Sequence, residues 1–132
     1  HDVTQNRETS RLDGCTIYRF DAPLIFANAR TFRDDILQIA TRDKPSWLVV
    51  AAEPITDVDT TACDMLEDLV TKLDAMGIRL VFAELKTAPR RKIDRFGLEH
   101  VIGDDRYFPT ITSAVDAHRA LTGATWRPPD TP

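Results

Sequence analysis

The sequence predicts an α/β domain, a mixed β-sheet with predominantly parallel core strands and about four helices packed against it. Three observations carry this reading. Runs with the period of a half-buried strand alternate along the chain with runs at helical spacing. The segments between strands are long enough to hold crossover helices, which makes the joined strands parallel with right-handed connections. One run, Trp47–Ala52 (WLVVAA), is apolar on both faces, the pattern of a central strand covered from both sides.

In chain order, Gly14 ends a polar opening stretch, and Cys15–Phe20 alternates as a strand with one buried face. Pro23 interrupts it, and Leu24–Phe26 reads as a short second strand, the pair lying at or near a sheet edge. Asn28 stands where an N-cap is expected. Ala29, Phe32, Ile36, Ile39 and Ala40 then follow at helical spacing, with Arg30, Arg33, Asp34 and Gln38 on the opposite face, until Pro45 closes the helix. After the buried strand and Pro54, the turn Asp57–Thr61 leads into a second helix. Its stripe is Ala62, Leu66, Leu69, Leu73 and Met76, and Gly77 stops it from the C′ position. Arg79–Leu85 is the next strand. Thr87 and the early Pro89 open a third helix that runs through Ile93 and Phe96 to Gly97. Ile111, Ala114, Val115, His118 and Leu121 mark a fourth.

At 132 residues the chain has the length of one domain, and 42% hydrophobic with 29% charged residues is the make-up of an ordinary folded protein. Seventeen Lys and Arg against 21 Asp and Glu give a net charge of −4, which argues against a nucleic-acid partner. Cys15 and Cys63 are too few for a disulfide framework and show no metal-ligand spacing, so both read as small buried hydrophobes in a reducing compartment. The longest apolar run, centred on Leu48–Ala52, falls far short of the ~20 residues of a membrane helix, and no signal-peptide pattern opens the chain. A compact cytosolic domain is expected. The chain opens on His1 rather than Met and is expected to be part of something longer. Residues 1–13 read as a polar tether, 14–121 as the folded unit, and 122–132, with Pro128, Pro129 and Pro132, as an extended tail.

Two segments could carry chemistry. Asp57, Asp59, Thr60 and Thr61 sit between a buried strand and a helix start, where ligands of open α/β sheets gather. A phosphoryl group on Thr60 or Thr61 would be favoured by helix-start amides and opposed by the two Asp. The plainer reading makes Asp59 or Thr60 a helix N-cap. A metal site from Asp57, Asp59 and Asp64 lacks the glycine bend and terminal Glu of a calcium loop. Lys86, Thr87, Arg90 and Arg91, in a cluster continued by Lys92 and Arg95, lie where a strand hands over to a helix. They could converge on a phosphate, an anionic headgroup or an acidic protein surface, or simply form a solvated face. His100 and His118 stand in no recognisable nucleophile arrangement, and His118 reads as a packed core edge. Phosphate-loop, G-x-S-x-G and H-E-x-x-H motifs are all missing, so catalysis has no positive support. A weak nucleotide hydrolase would need Asp57 or Asp59 as a metal ligand.

With this order of elements, the chain resembles a STAS domain, the family named for sulfate transporters and anti-sigma factor antagonists. The resemblance runs from about Gly14 to Leu121. Pro54–Leu69 (PITDVDTTACDMLEDL) is similar to the family's D-x-[ST]-[AG] segment, Gly77–Ala83 (GIRLVFA) to the strand after it, and Tyr107–Ala117 (YFPTITSAVDA) to its closing helix. Free-standing antagonists carry D-S-S-G with the second Ser phosphorylated by an anti-sigma kinase. Thr61 matches that Ser, while Ala62 replaces the Gly. The extra Asp57 and the phrase Ile55–Asp59 look more like the C-terminal cytoplasmic domain of a bacterial SulP-type sulfate or anion permease. The resemblance thus implies a non-catalytic regulatory module at the cytoplasmic side of the plasma membrane, covalently linked to the permease's membrane domain. It needs no cofactor. One candidate ligand it implies is a guanine or adenine nucleotide, and a cytosolic regulatory protein is a further candidate partner. The basic cluster gives the expected site of the phosphates, at Lys86, Thr87, Arg90 and Arg91, with the Asp57–Thr61 turn at its border. The alternative is an antagonist switched by phosphorylation at Thr61.

Overall fold

The computed structural model describes residues 7–122; the expected tail falls on residues outside this range, apart from Thr122, which is helical. Five strands form one sheet in the order β1-β2-β3-β4-β5. They are β1 (Arg7–Leu12), β2 (Cys15–Phe20), β3 (Trp47–Ala51), β4 (Arg79–Ala83) and the two-residue β5 (Tyr107–Phe108). β2 through β5 are parallel, and β1 is antiparallel to β2. Four α-helices accompany them: α1 (Phe26–Asp43), α2 (Thr60–Ala75), α3 (Thr87–Arg95) and α4 (Ile111–Thr122). The expected mixed sheet and four helices are therefore present. None of the described helices is long and apolar enough to cross a membrane.

Strand alternation sorts the core into two layers. Tyr18, Phe20, Leu48, Val50, Leu80 and Phe82 face α1, α2 and α3, meeting Phe32, Ile36, Leu66, Leu69 and Ile93. Cys15, Trp47, Val49, Val81 and Ala83 point to the other side and meet Ala114 and Val115 of α4. β3 is buried along its whole length because helices cover it from both sides, as its unbroken apolar run demands.

Four expectations are corrected. The tether assigned to residues 1–13 contains β1, which pairs with β2 in register Arg7↔Phe20 through Leu12↔Cys15. Five of its six residues are exposed and none of those is apolar, so its sequence carries no strand period, and only pairing reveals it. Leu24–Phe26 is not a strand. Leu24 makes one parallel bridge to Val58, and the helix begins at Phe26. Asn28 accordingly is not the N-cap but the third helical residue, whose side-chain oxygen accepts from the Ile25 amide at 2.9 Å. Finally, the strand expected over Arg79–Leu85 stops at Ala83, since Glu84 adopts φ 66° and turns the chain toward α3.

Helix ends follow the expected rules more closely. At the end of α2 the Gly77 amide (φ 77°) donates to the Asp74 carbonyl at 3.0 Å and the Ile78 amide to the Leu73 carbonyl at 2.9 Å, a Schellman motif. At the end of α1 the same left-handed position is held by Lys44, at φ 46°. A non-glycine residue pays about 1–2 kcal/mol there, partly offset by glycine's greater freedom in the unfolded chain. Lys44→Gly is therefore expected to stabilise the domain by about 0.5–1 kcal/mol, read as a rise of a few degrees in Tm. No rise would mean that the Lys44 side chain contributes something its exposure conceals.

Candidate functional site

The carboxyl ends of β3 and β4 are where the chain leaves the sheet for α2 and α3, the usual location of ligand crevices in such sheets. The turn after β3 is held from both sides. Leu24 donates its amide to the Asp57 carbonyl at 2.9 Å, and the Asp59 amide donates to the Leu24 carbonyl at 3.2 Å. Asp59, rather than Thr60, is the N-cap of α2: its Oδ1 accepts from the Ala62 amide at 2.8 Å. Its Oδ2 accepts from the Phe26 amide, also at 2.8 Å. One carboxylate thus satisfies orphan amides at the starts of two helices. Asp57 accepts from its neighbour's amide at Val58 and from Lys92 Nζ at 2.6 Å. The Lys92 hydrogen bond outweighs partial burial and holds the Asp57 carboxyl below the usual carboxylate range. Thr60 and Thr61 are the first two residues of α2 and both are exposed, so a hydroxyl is accessible at each.

The basic cluster separates into parts. Lys86 Nζ donates to the Glu53 carbonyl at 3.0 Å and to its carboxylate at 3.2 Å. Arg90 pairs with Asp104 and lies over the Tyr107 ring, 4.0 Å from its centroid. Thr87 and Arg91 are exposed. Lys86, Thr87, Arg90 and Arg91 are therefore not gathered on one point, and two of the three cations already have carboxylates. The same helix places two other cations by the turn. Lys92 and Arg95, with Phe96, form one wall of a cleft of about 450 Å³. Val58, Asp59, Thr60 and Cys63 form the other wall. Arg95 is exposed and has no carboxylate partner among the described residues, and Phe96 is 37% exposed. Burial, with the charges of Asp59 and Asp64, pushes the Cys63 thiol up to about 11, so it is no thiolate nucleophile.

The cleft offers a half-apolar wall, one free guanidinium, an ammonium shared with Asp57 and helix-start amides already held by Asp59. That suits a ligand with an anionic group and a flat or apolar body, and it lacks a placed base. Among the described residues no group of three His, Cys, Asp or Glu could hold a metal ion, and Asp57, Asp59 and Asp64 do not form one. Reasoning from the sequence placed Lys92 and Arg95 in the basic cluster but not among its phosphate ligands, and missed Phe96. A signal was present for Lys92 and Phe96, which flank the buried Ile93 at helical spacing, but not for Arg95, which lies nearly opposite it.

Comparison with known proteins bears on this geometry. The family model for the STAS domain matches residues 6–114, which includes β1. A protein named "Probable sulfate transporter" in Mycobacterium tuberculosis (strain H37Rv) is 38% identical over 121 residues, covering 90% of this chain and 22% of that protein. The chain thus spans about a fifth of the relative it matches. Among solved structures, the SulP transporter STAS domain from Vibrio cholerae superposes with a TM-score of 0.70 at 20% identity, covering 88% of this chain and 89% of that one. An anti-sigma factor antagonist from Mycobacterium paratuberculosis gives the same TM-score and identity over 88% of this chain and 95% of that one, so those two structures speak to the fold alone. The five-strand sheet with its four helices, the match over residues 6–114 and the mycobacterial relative together establish that the chain belongs to the STAS domain family.

Proposed function

We propose that this chain is the cytoplasmic regulatory module of a SulP-type sulfate or anion transporter, continuous with a membrane domain, and that it does no catalysis of its own. The observation that carries the reading is the match of nine-tenths of this chain to about a fifth of a protein named as a sulfate transporter. Fractionation of native cells with an antibody against residues 7–122 tests it. A heavy band confined to the membrane is expected, since many spans of ~20 residues would add far more mass than this domain has. A cytosolic band near 14.9 kDa would refute it.

In the same reading the cleft between α2 and α3 senses an anionic ligand, for which a purine nucleotide, guanine or adenine, is the candidate. Its phosphates would meet Arg95 and Lys92 and its base Phe96, with exposed Arg91 on the approach and Thr60 at the rim. Titration with GTP and with ATP, followed by amide NMR, should shift residues 57–63 and 91–97 together. Arg95→Ala should weaken binding by roughly 1–3 kcal/mol, the range for a charge-assisted hydrogen bond. Shifts in neither segment at millimolar nucleotide would remove the ligand and leave the transporter reading standing.

A second reading, a partner-switching antagonist modified at Thr61, draws support from the exposed hydroxyl in the first turn of α2 and from the likeness to antagonist folds. It requires a kinase that modifies Thr61 and a complex that Thr61→Glu abolishes. A complex that survives Thr61→Glu would end it.

A further inference from the structure

α4 is the only described helix on its face of the sheet, and it buries just three side chains: Ala114, Val115 and His118. The polar one of the three is 2% exposed. His118 Nε2 lies 2.7 Å from Ser46 Oγ, at the entry to β3. Ser46 Oγ also lies 3.0 Å from the Gly14 carbonyl, and which of Ser46 Oγ and His118 Nε2 donates to the other is set by the imidazole tautomer. The same carbonyl receives the amides of Ser46 and Trp47 at 2.9 and 3.2 Å. One imidazole thereby ties α4 to the β1–β2 turn and to the start of β3. The approach is close: Gly14 sits at φ 73°, and a Cβ there would come within 3.4 Å of His118 Cε1. The ring meets Trp47 edge-on, with centroids 5.6 Å apart, and borders a small cavity with Leu12, Asp13, Cys15, Val115 and Arg119.

We propose that His118 is a proton-sensitive latch, which when neutral pins α4 to the sheet and when protonated releases it. A second proton would place a full charge on a side chain 2% exposed and packed against Trp47 and Val115. The charged and titratable groups around the ring are few. Asp13 on the β1–β2 turn favours the cation and Arg119 on α4 opposes it. Cys15 of β2 is neutral, its thiol pushed up to about 11 by burial, and Arg79 of β4 lies beyond the Trp47 ring, 5.8 Å from its centroid. Burial is the largest influence and sets His118 below its ordinary value of 6.5. For a histidine lowered in the folded state, the stabilisation is complete above 6.5 and is lost as the pH falls from there through the lower folded value. Beside His118, α4 is anchored by buried Ala114 and Val115 and partly buried Ile111 and Ala117 alone, so the loss opens that helix rather than the whole domain. Opening bares Trp47, Val49, Val81 and Ala83.

Hydrogen exchange on the full 132-residue chain at about pH 5 and about pH 7.5, each corrected for intrinsic rate, tests the latch. The expected result is a severalfold loss of protection at the lower pH in residues 115–121, with β3 and β4 unchanged. His118→Gln keeps a donor for Ser46 and cannot titrate, so its α4 protection should be flat with pH. Wild-type protection that ignores pH, or the same loss in His118→Gln, would overturn the proposal. Should that variant fail to fold, the wild-type imidazole is followed by NMR. A midpoint below 6.5 that coincides with shifts of the α4 amides supports the latch, and a midpoint at or above 6.5 sinks it.

Discussion

Truncating Phe32 to alanine is expected to lower the unfolding free energy by about 4 kcal/mol, whereas truncating Phe26 on the same helix should leave it within about 0.5 kcal/mol of wild type. The residue type and the helix are shared, so the difference isolates burial. Phe32 is fully enclosed and meets the Tyr18 and Phe20 rings edge-on, with centroids 5.6 and 5.4 Å away. The cavity left by its removal is walled by strand and helix backbones that cannot collapse into it. Phe26 is 71% exposed at the first turn of α1. Urea denaturation reads both, and an unchanged m-value would assign the loss to the folded state. With domains of this size stable by only about 5–15 kcal/mol, Phe32→Ala should be marginal at 37 °C. A cost below about 1.5 kcal/mol would mean that the aromatic trio is not the packing centre of α1.

Removing the Asp59 carboxylate has the second largest expected effect. Asp59→Ala should cost about 2 kcal/mol, because one residue caps two helices through separate oxygens. Asp59→Asn retains one acceptor oxygen and can serve only one of the two amides, so it should recover about half of that loss. Hydrogen exchange gives the finer reading. The Phe26 and Ala62 amides should both lose protection in Asp59→Ala, and only one of them in Asp59→Asn. If both stay protected in Asp59→Ala, the helix starts are held by something other than this carboxylate. The arrangement also couples the cleft to α1, since a ligand that draws Asp59 away leaves the Phe26 amide without its acceptor.

Much of this site was legible in the residues, and the rest was hidden for identifiable reasons. The Asp57–Thr61 turn announced itself by standing between an apolar run and a helical stripe, and both neighbours are buried as that pattern requires. The choice between Asp59 and Thr60 as the cap was not available, because it depends on where the chain at Leu24 crosses the turn. The basic cluster was visible as composition, yet which cations stay free depends on acids far away in sequence. Glu53 and Asp104 take Lys86 and Arg90, and Arg95 is left without such a partner among the described residues. Likewise Ser46 and His118 lie 72 positions apart, and no motif links them.

The sequence by itself determined the elements whose side chains must hide from water, since burial writes a period into the chain: β2, β3, β4 and most of each helix's apolar stripe, although Met76, Phe96 and Leu121, expected on those stripes at helix ends, are exposed. It also determined where α2 ends, because only glycine enters the left-handed cap freely. The tertiary structure alone decided β1, an exposed edge strand held by backbone pairing that leaves no mark on side-chain pattern, and the two-residue β5, too short for any period. It alone decided which charges meet, because ion pairing is set by distance in space and the sequence records only order along the chain.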